Sequence, residues 1–259
     1  MKKIIFCLFF LMLLGGCSTK KTEKYETIIE EMVSESDKYI MVYNEAGYYN
    51  TDCYYVQGLK MIGNESVLKN EELRAQIKNY YDPLIEDADI YLLSKIAIVY
   101  DAFSLESNIK NIILTKEKPS YDYGMAFTLW ALALLDIDDE DYINYVRDFD
   151  NATYKDCDYA GMCALALSYF QADLSNIISF IDEEIKNNFP SSWSGKNCCS
   201  IAFAYLGYLL TDNLDKIDLE EIYHYYENKA FRNLDNEDLD YGYASPQAFL
   251  MLCYYQNYA

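Results

Sequence analysis

Histidine is nearly missing: His224 stands alone among 259 residues. A single imidazole excludes most Ser/His/Asp and Cys/His arrangements for nucleophilic catalysis, and zinc sites built on several histidines. Arginine is scarce too, three against eighteen lysines, and the 21 basic residues face 42 acidic ones. The formal charge of −21 repels nucleic acid and anionic headgroups, so no nucleic-acid partner is expected. Four prolines and ten glycines, scattered through the length, leave no linker that would divide the chain. No glycine-rich loop is available to cradle a phosphate, and no DxDxDG-like loop to hold Ca²⁺. No metal and no cofactor is expected. The eight cysteines contain no CxxC pair. Cys53, Cys157, Cys163, Cys198, Cys199 and Cys253 lie in or beside apolar runs, where a free thiol serves as a small buried hydrophobe.

What is present begins with a leader. Lys2 and Lys3 precede an apolar stretch, Ile4–Leu14, and then Leu14-Gly15-Gly16-Cys17. This arrangement resembles the lipobox of bacterial lipoproteins. The resemblance implies cleavage before Cys17, acylation of that cysteine, and a place in the cell envelope on the outer face of the membrane. Residues 1–17 then form the signal peptide with its lipidated cysteine, 18–24 a polar tether, and 25–259 one domain, expected to be monomeric. The leader carries two lysines and no acid, so the remainder is more acidic than the whole.

Beyond the tether, charged amphipathic stretches alternate with stretches almost free of charge. The amphipathic members are Tyr25–Tyr43, Ser66–Tyr80, Leu105–Thr115, Asp139–Phe149, Asp173–Asn188 and Asp218–Ala230. The apolar members are Asp52–Ile62, Asp89–Tyr100, Asp122–Leu135, Asp158–Phe170, Asn197–Leu210 and Tyr243–Tyr255. The fullest of these, from Tyr123 to Leu135, has no charge at all and therefore no wet face as a helix. At thirteen residues it is too short to span a bilayer, which takes ~20, so other protein must surround it. The residues that open the apolar runs, Asp52, Asp89, Asp122, Asp158, Asn197 and Asp240, recur every 33 to 43 positions, the period of a helical-hairpin array. An open solenoid leaves one side of its inner helices wet. Closing six hairpins into a ring does not, so the expected fold is an all-α (α/α)6 toroid with an inner apolar barrel and an outer amphipathic ring.

Short turns lead into the apolar helices: Phe189–Gly195 (FPSSWSG), Tyr241-Gly242-Tyr243, and Tyr121–Gly124. Each sets an aromatic beside glycine and small residues. They resemble the repeat turns of the terpenoid cyclase and protein prenyltransferase superfamily, which implies an α/α toroid. Asp136-Ile137-Asp138-Asp139 matches the cyclase acid motif in letters, but it ends an inner helix and opens the next outer one, where an N-capping role is expected. The zinc of the prenyltransferases needs a histidine in the barrel, and His224 falls in an outer helix.

If the inner helices run in parallel, their N-termini meet at one mouth. The candidate ligand rim there is Asp89, Asp122, Asp156, Asp158, Trp193, Asp240 and Tyr241, with Asp52, Asp87 and Asp238 on the same rim. Capping explains one carboxylate per helix. The doubled Asp87/Asp89 and Asp156/Asp158 exceed that need. Tyrosines 54, 55, 91, 121, 123, 159 and 243 converge on the same end, surfaces on which sugar rings stack and amphiphiles pack. The expected function is a lipid-anchored binding or interaction domain for a glycan or small amphiphile. The alternatives are a glycoside-active enzyme using two rim aspartates, and a structural lipoprotein with no small ligand.

Overall fold

A computed structural model describes residues 23–258. The leader, Cys17 and most of the tether lie outside the described residues. The class is all-α, with two short hairpins. The six apolar runs are all helices: α2 (Cys53–Met61), α5 (Ile90–Ala102), α7 (Asp122–Leu134), α9 (Cys157–Ser168), α11 (Cys198–Leu209) and α13 (Ala244–Tyr258). The remaining helices are α1 (Lys24–Val33), α3 (Glu65–Leu68), α4 (Glu71–Tyr81), α6 (Ile109–Ile112), α8 (Glu140–Arg147), α10 (Ser175–Lys186) and α12 (Leu219–Tyr223). No described helix is long and apolar enough to cross a membrane.

The apolar helices start and stop by a shared local chemistry. The side chains of Asp52, Asp89, Asp156 and Asn197 each accept the backbone N–H three residues on, at 2.8 to 3.0 Å, which satisfies one of the orphan donors of a helix start. At the other end a residue just past the helix adopts positive φ: Gly63, Ser104, Asp136, Gln171 and Asp212. In each case the next residue donates its N–H back to the helix, as Leu105 does to Tyr100 O at 2.8 Å and Asn213 to Tyr208 O at 2.9 Å. This is the Schellman closure, repeated five times. It also fixes the acid motif of the sequence: Asp136 is one of these left-handed reversals, and Asp139 caps α8 through Asp141 N and Tyr142 N.

Packing follows chain order. Each apolar helix lies against the next, from α2 through α5, α7, α9 and α11 to α13, and α13 returns to α2. Burial is almost complete; in α11 every residue is buried. Tyr54 of α2 stacks on Trp130 of α7 (5.8 Å between centroids, 7° between planes) and meets Phe203 of α11 edge-on at 5.6 Å. It therefore reaches two helices that are not its neighbours in the cycle, and these rings fill the space between the apolar helices. Some seams bring backbones close: a Cβ on Gly161 would lie 2.5 Å from the carbonyl oxygen of Phe203, and one on Gly58 2.7 Å from the Phe249 ring. All six interior cysteines are free and buried.

The amphipathic stretches depart from the expected helices in four places. Ser66–Tyr80 divides into α3 and α4, because Asn70 starts a new helix by accepting Leu73 N. The stretch read as one helix, Tyr25–Tyr43, ends at Val33 and passes through a 3₁₀ turn into β1 (Val42–Tyr43), which pairs with β2 (Tyr49–Asn50). Met41 at φ 54° and Gly47 at φ 86° are incompatible with a continuing helix. Asp218–Ala230 likewise stops at Tyr223 and gives a hairpin, β3 (Tyr226–Glu227) with β4 (Ala230–Phe231), turned by Asn228 and Lys229, both at positive φ. His224 is exposed just beyond α12 and hydrogen-bonds Asp235 Oδ1 at 2.6 Å. Leu105–Thr115 contracts to α6 and one 3₁₀ turn.

Candidate functional site

The N-terminal turns of α2, α5, α7, α9 and α13 face a common cavity of about 700 Å³. No residue of α11 or of the loop before it lines the cavity; in that loop Asn197 Nδ2 donates to Ser192 Oγ, Ser194 Oγ and Gly195 O. Tyr54 and Phe127 line the cavity beside the ring cluster, and the Tyr54 and Tyr123 hydroxyls hydrogen-bond each other. Tyr91, Tyr121, Tyr154 and Tyr243 stand at the opening, each between 42% and 69% exposed.

Of the rim residues expected from sequence, Asp122, Asp156 and Asp158 line this cavity. Asp89, Trp193, Asp240 and Tyr241 are not among its lining residues. Asp89 is exposed and caps α5. Trp193 is 98% exposed on the loop before α11. Asp240 binds the backbone N–H groups of Gly242, Tyr243 and Ala244 at the entry to α13. Tyr241 packs against Tyr39 and under the Lys38 ammonium.

The three cavity aspartates differ in what they already hold. Asp122 is buried and engaged: Oδ1 accepts the Tyr145 hydroxyl at 2.7 Å, and Oδ2 accepts the N–H groups of Thr153 and Tyr154 at 2.9 and 3.2 Å. It is not the N-cap of α7, a position taken by Tyr121. Asp156 caps α9 through Tyr159 N, and burial raises its pKa above the ordinary carboxylate value. Asp158, two residues into the same helix, has an Oδ1 that is buried without a hydrogen-bond partner. Burial first, and the Asp156 carboxylate second, push Asp158 up to about 7, against the Ser200 hydroxyl. A third perturbed acid, Asp52, is pushed up to about 6 by burial, opposed by the Tyr55 N–H and the Lys95 ammonium.

Among the lining residues that were not expected, two polar side chains stand out. Lys95 of α5 is the one cation lining the cavity among the described residues, and its Nζ donates to Asn50 Oδ1. Gln247 of α13 is 4% exposed, with its Oε1 buried and unpartnered. Each is a long polar side chain interrupting an apolar run, the signal that could have found it. No cluster of three metal-ligating side chains occurs among the described residues.

A carboxyl whose folded pKa is raised disfavours the fold once it ionises. For Asp158 the native state holds its proton up to about 7, whereas the unfolded chain releases it near 3.8. Its penalty on stability therefore grows as pH rises through that window and is absent below it. Asp158→Asn should melt higher than the parent at about pH 8, and that advantage should shrink toward about pH 4. Calorimetric Tm values at the two pH values check this; a pH-independent difference would contradict it.

No known protein family, curated protein or solved structure matches the chain.

Proposed function

We propose that this chain is a lipid-anchored, extracytoplasmic binding domain, an (α/α)6 toroid whose mouth takes a glycan. The cyclic packing of the six apolar helices supports the toroid, and the Lys2-Lys3 to Cys17 leader supports the anchor. Cys17→Ser should abolish metabolic labelling with a fatty acid; retained label would sink the lipid assignment.

The observation that carries the ligand reading is the cavity itself. Tyrosine faces surround it, and three of its lining residues hold a buried polar atom without a partner: Asp158 Oδ1, Gln247 Oε1 and the Tyr159 hydroxyl. Buried polar atoms are normally paired, and leaving one unpaired costs about 1–3 kcal/mol. A sugar supplies hydroxyl donors for such acceptors and C–H faces for the rings. A purely apolar chain would supply only the second, which favours a glycan over an amphiphile. A thermal-shift screen of the full chain in detergent against cell-wall and host glycans tests the reading. A ligand at 100 times its Kd adds about 2.7 kcal/mol of stability, and Gln247→Leu should reduce the shift. No shift from any glycan would overturn it.

One observation favours a second reading. Asp158 keeps its proton near neutral pH beside a second carboxyl, Asp156, and a protonated and an ionised carboxyl are the acid and base of glycoside hydrolysis. Release of reducing ends that stops in Asp158→Asn would carry this reading; intact glycan after prolonged incubation would end it.

A further inference from the structure

Resting on the reading of the mouth as a ligand site, we propose that its ligand carries a protonated amine, held between the α9 carboxylates and Gln247. The charges on the wall give the reason. Asp52, Asp122, Asp156 and Asp158 line the cavity against Lys95 alone. Lys95 lies on the Asp52 side, hydrogen-bonded to Asn50 and acting on the Asp52 carboxyl. Among the described residues no lysine, arginine or histidine pairs with Asp122, Asp156 or Asp158. The hydroxyl and N–H donors around Asp122 compensate it. Asp156 has its helix N–H, and Asp158 keeps one oxygen bare.

Three lining residues have a buried polar atom without a partner, and each can accept. Asp158 Oδ1 and Gln247 Oε1 are both acceptors, on helices α9 and α13, and the Tyr159 hydroxyl is the third. An ammonium offers three donors and no acceptor. A neutral hydroxyl would satisfy one oxygen; a cation satisfies it and also stabilises an ionised Asp158 beside Asp156. Tyr54, Tyr91, Tyr123, Tyr154, Tyr159 and Phe127 line the same space, and aromatic faces attract an organic cation. A ligand that is both saccharide and amine, such as a glucosamine oligomer, meets all three features.

The test is isothermal titration of the full chain in detergent with a glucosamine disaccharide, its N-acetylated form and a linear polyamine. The free-amine sugar should bind, acetylation should weaken it at least tenfold, and Asp158→Asn and Gln247→Leu should each weaken it severalfold. Circular dichroism checks that each variant is folded. Asp89→Asn, outside the cavity, should leave affinity unchanged. Equal binding of the acetylated and free-amine sugars would overturn the amine while leaving the glycan reading intact. Binding of the polyamine without either sugar would support the amine and sink the glycan. Loss of all three ligands would overturn both, and so would amine binding indifferent to both cavity substitutions.

Discussion

Trp130→Ala should lower the unfolding free energy by about 3–5 kcal/mol, the range for truncating a fully buried large aromatic. Trp130 is 1% exposed, stacked on Tyr54 and edge-on to Phe127 at 6.0 Å. Its removal opens a void where side chains from α2, α7 and α11 meet. The neighbouring rings cannot collapse into that void, because the Tyr54 hydroxyl is tied to Tyr123. Trp130→Phe keeps a stacking ring and should cost less than half as much. Urea unfolding followed by far-UV circular dichroism checks both. A loss under ~1 kcal/mol for the alanine variant would mean that the centre is not close-packed.

The second large effect is expected at Asp122. Asp122→Ala strips acceptors from the Tyr145 hydroxyl and from the Thr153 and Tyr154 N–H groups at once. Hydrogen bonds to a charged group contribute about 1.5–3 kcal/mol, and partial exposure of these donors lets water replace some of the loss. The expected cost is about 2–3 kcal/mol, with Asp122→Asn intermediate because its carbonyl still accepts. The substitution also releases the loop that carries Tyr154 and leads to Asp156. A ligand should therefore bind this variant more weakly even where Asp122 touches nothing bound. An unchanged urea midpoint would refute the structural role and return Asp122 to the set of free ligand groups.

Residue chemistry explains how much was readable beforehand. The apolar helices were legible to within a few residues, because a charge-free run has no alternative to burial and Asp or Asn marks its first turn. The outer elements were not. Apolar spacing in Tyr25–Tyr43 and Asp218–Ala230 fits a helix, yet Met41, Asn228 and Lys229 adopt left-handed backbone that periodicity does not register. At the site, the doubled Asp156/Asp158 signalled more than capping and does line the cavity. The equal treatment of six helix starts was the weakness. The cavity is lined from five of the six starts: α11 and the loop before it contribute nothing, Trp193 on that loop is exposed, and Asp89 and Asp240 use their oxygens on the N–H groups of their own helix entries. Lys95 and Gln247 were visible as lone polar residues in apolar surroundings, but nothing in spacing alone aimed them at the mouth.

The return of α13 to α2 has a kinetic consequence. Every other seam in the cycle joins helices that follow one another along the chain, whereas Asn257 Nδ2 reaches Met61 O across 196 positions. Closing so long a loop carries the largest entropic cost of any seam, and distant pairings slow folding. That joint should zip last and part first. The segment 24–35 straps it, α1 lying against α13, Glu31 accepting the Tyr226 hydroxyl at 2.5 Å and Lys229 reaching Glu35 at 3.0 Å. Until the joint closes, α2 stays without one of its two neighbours, beside the helix start that bears Asp52.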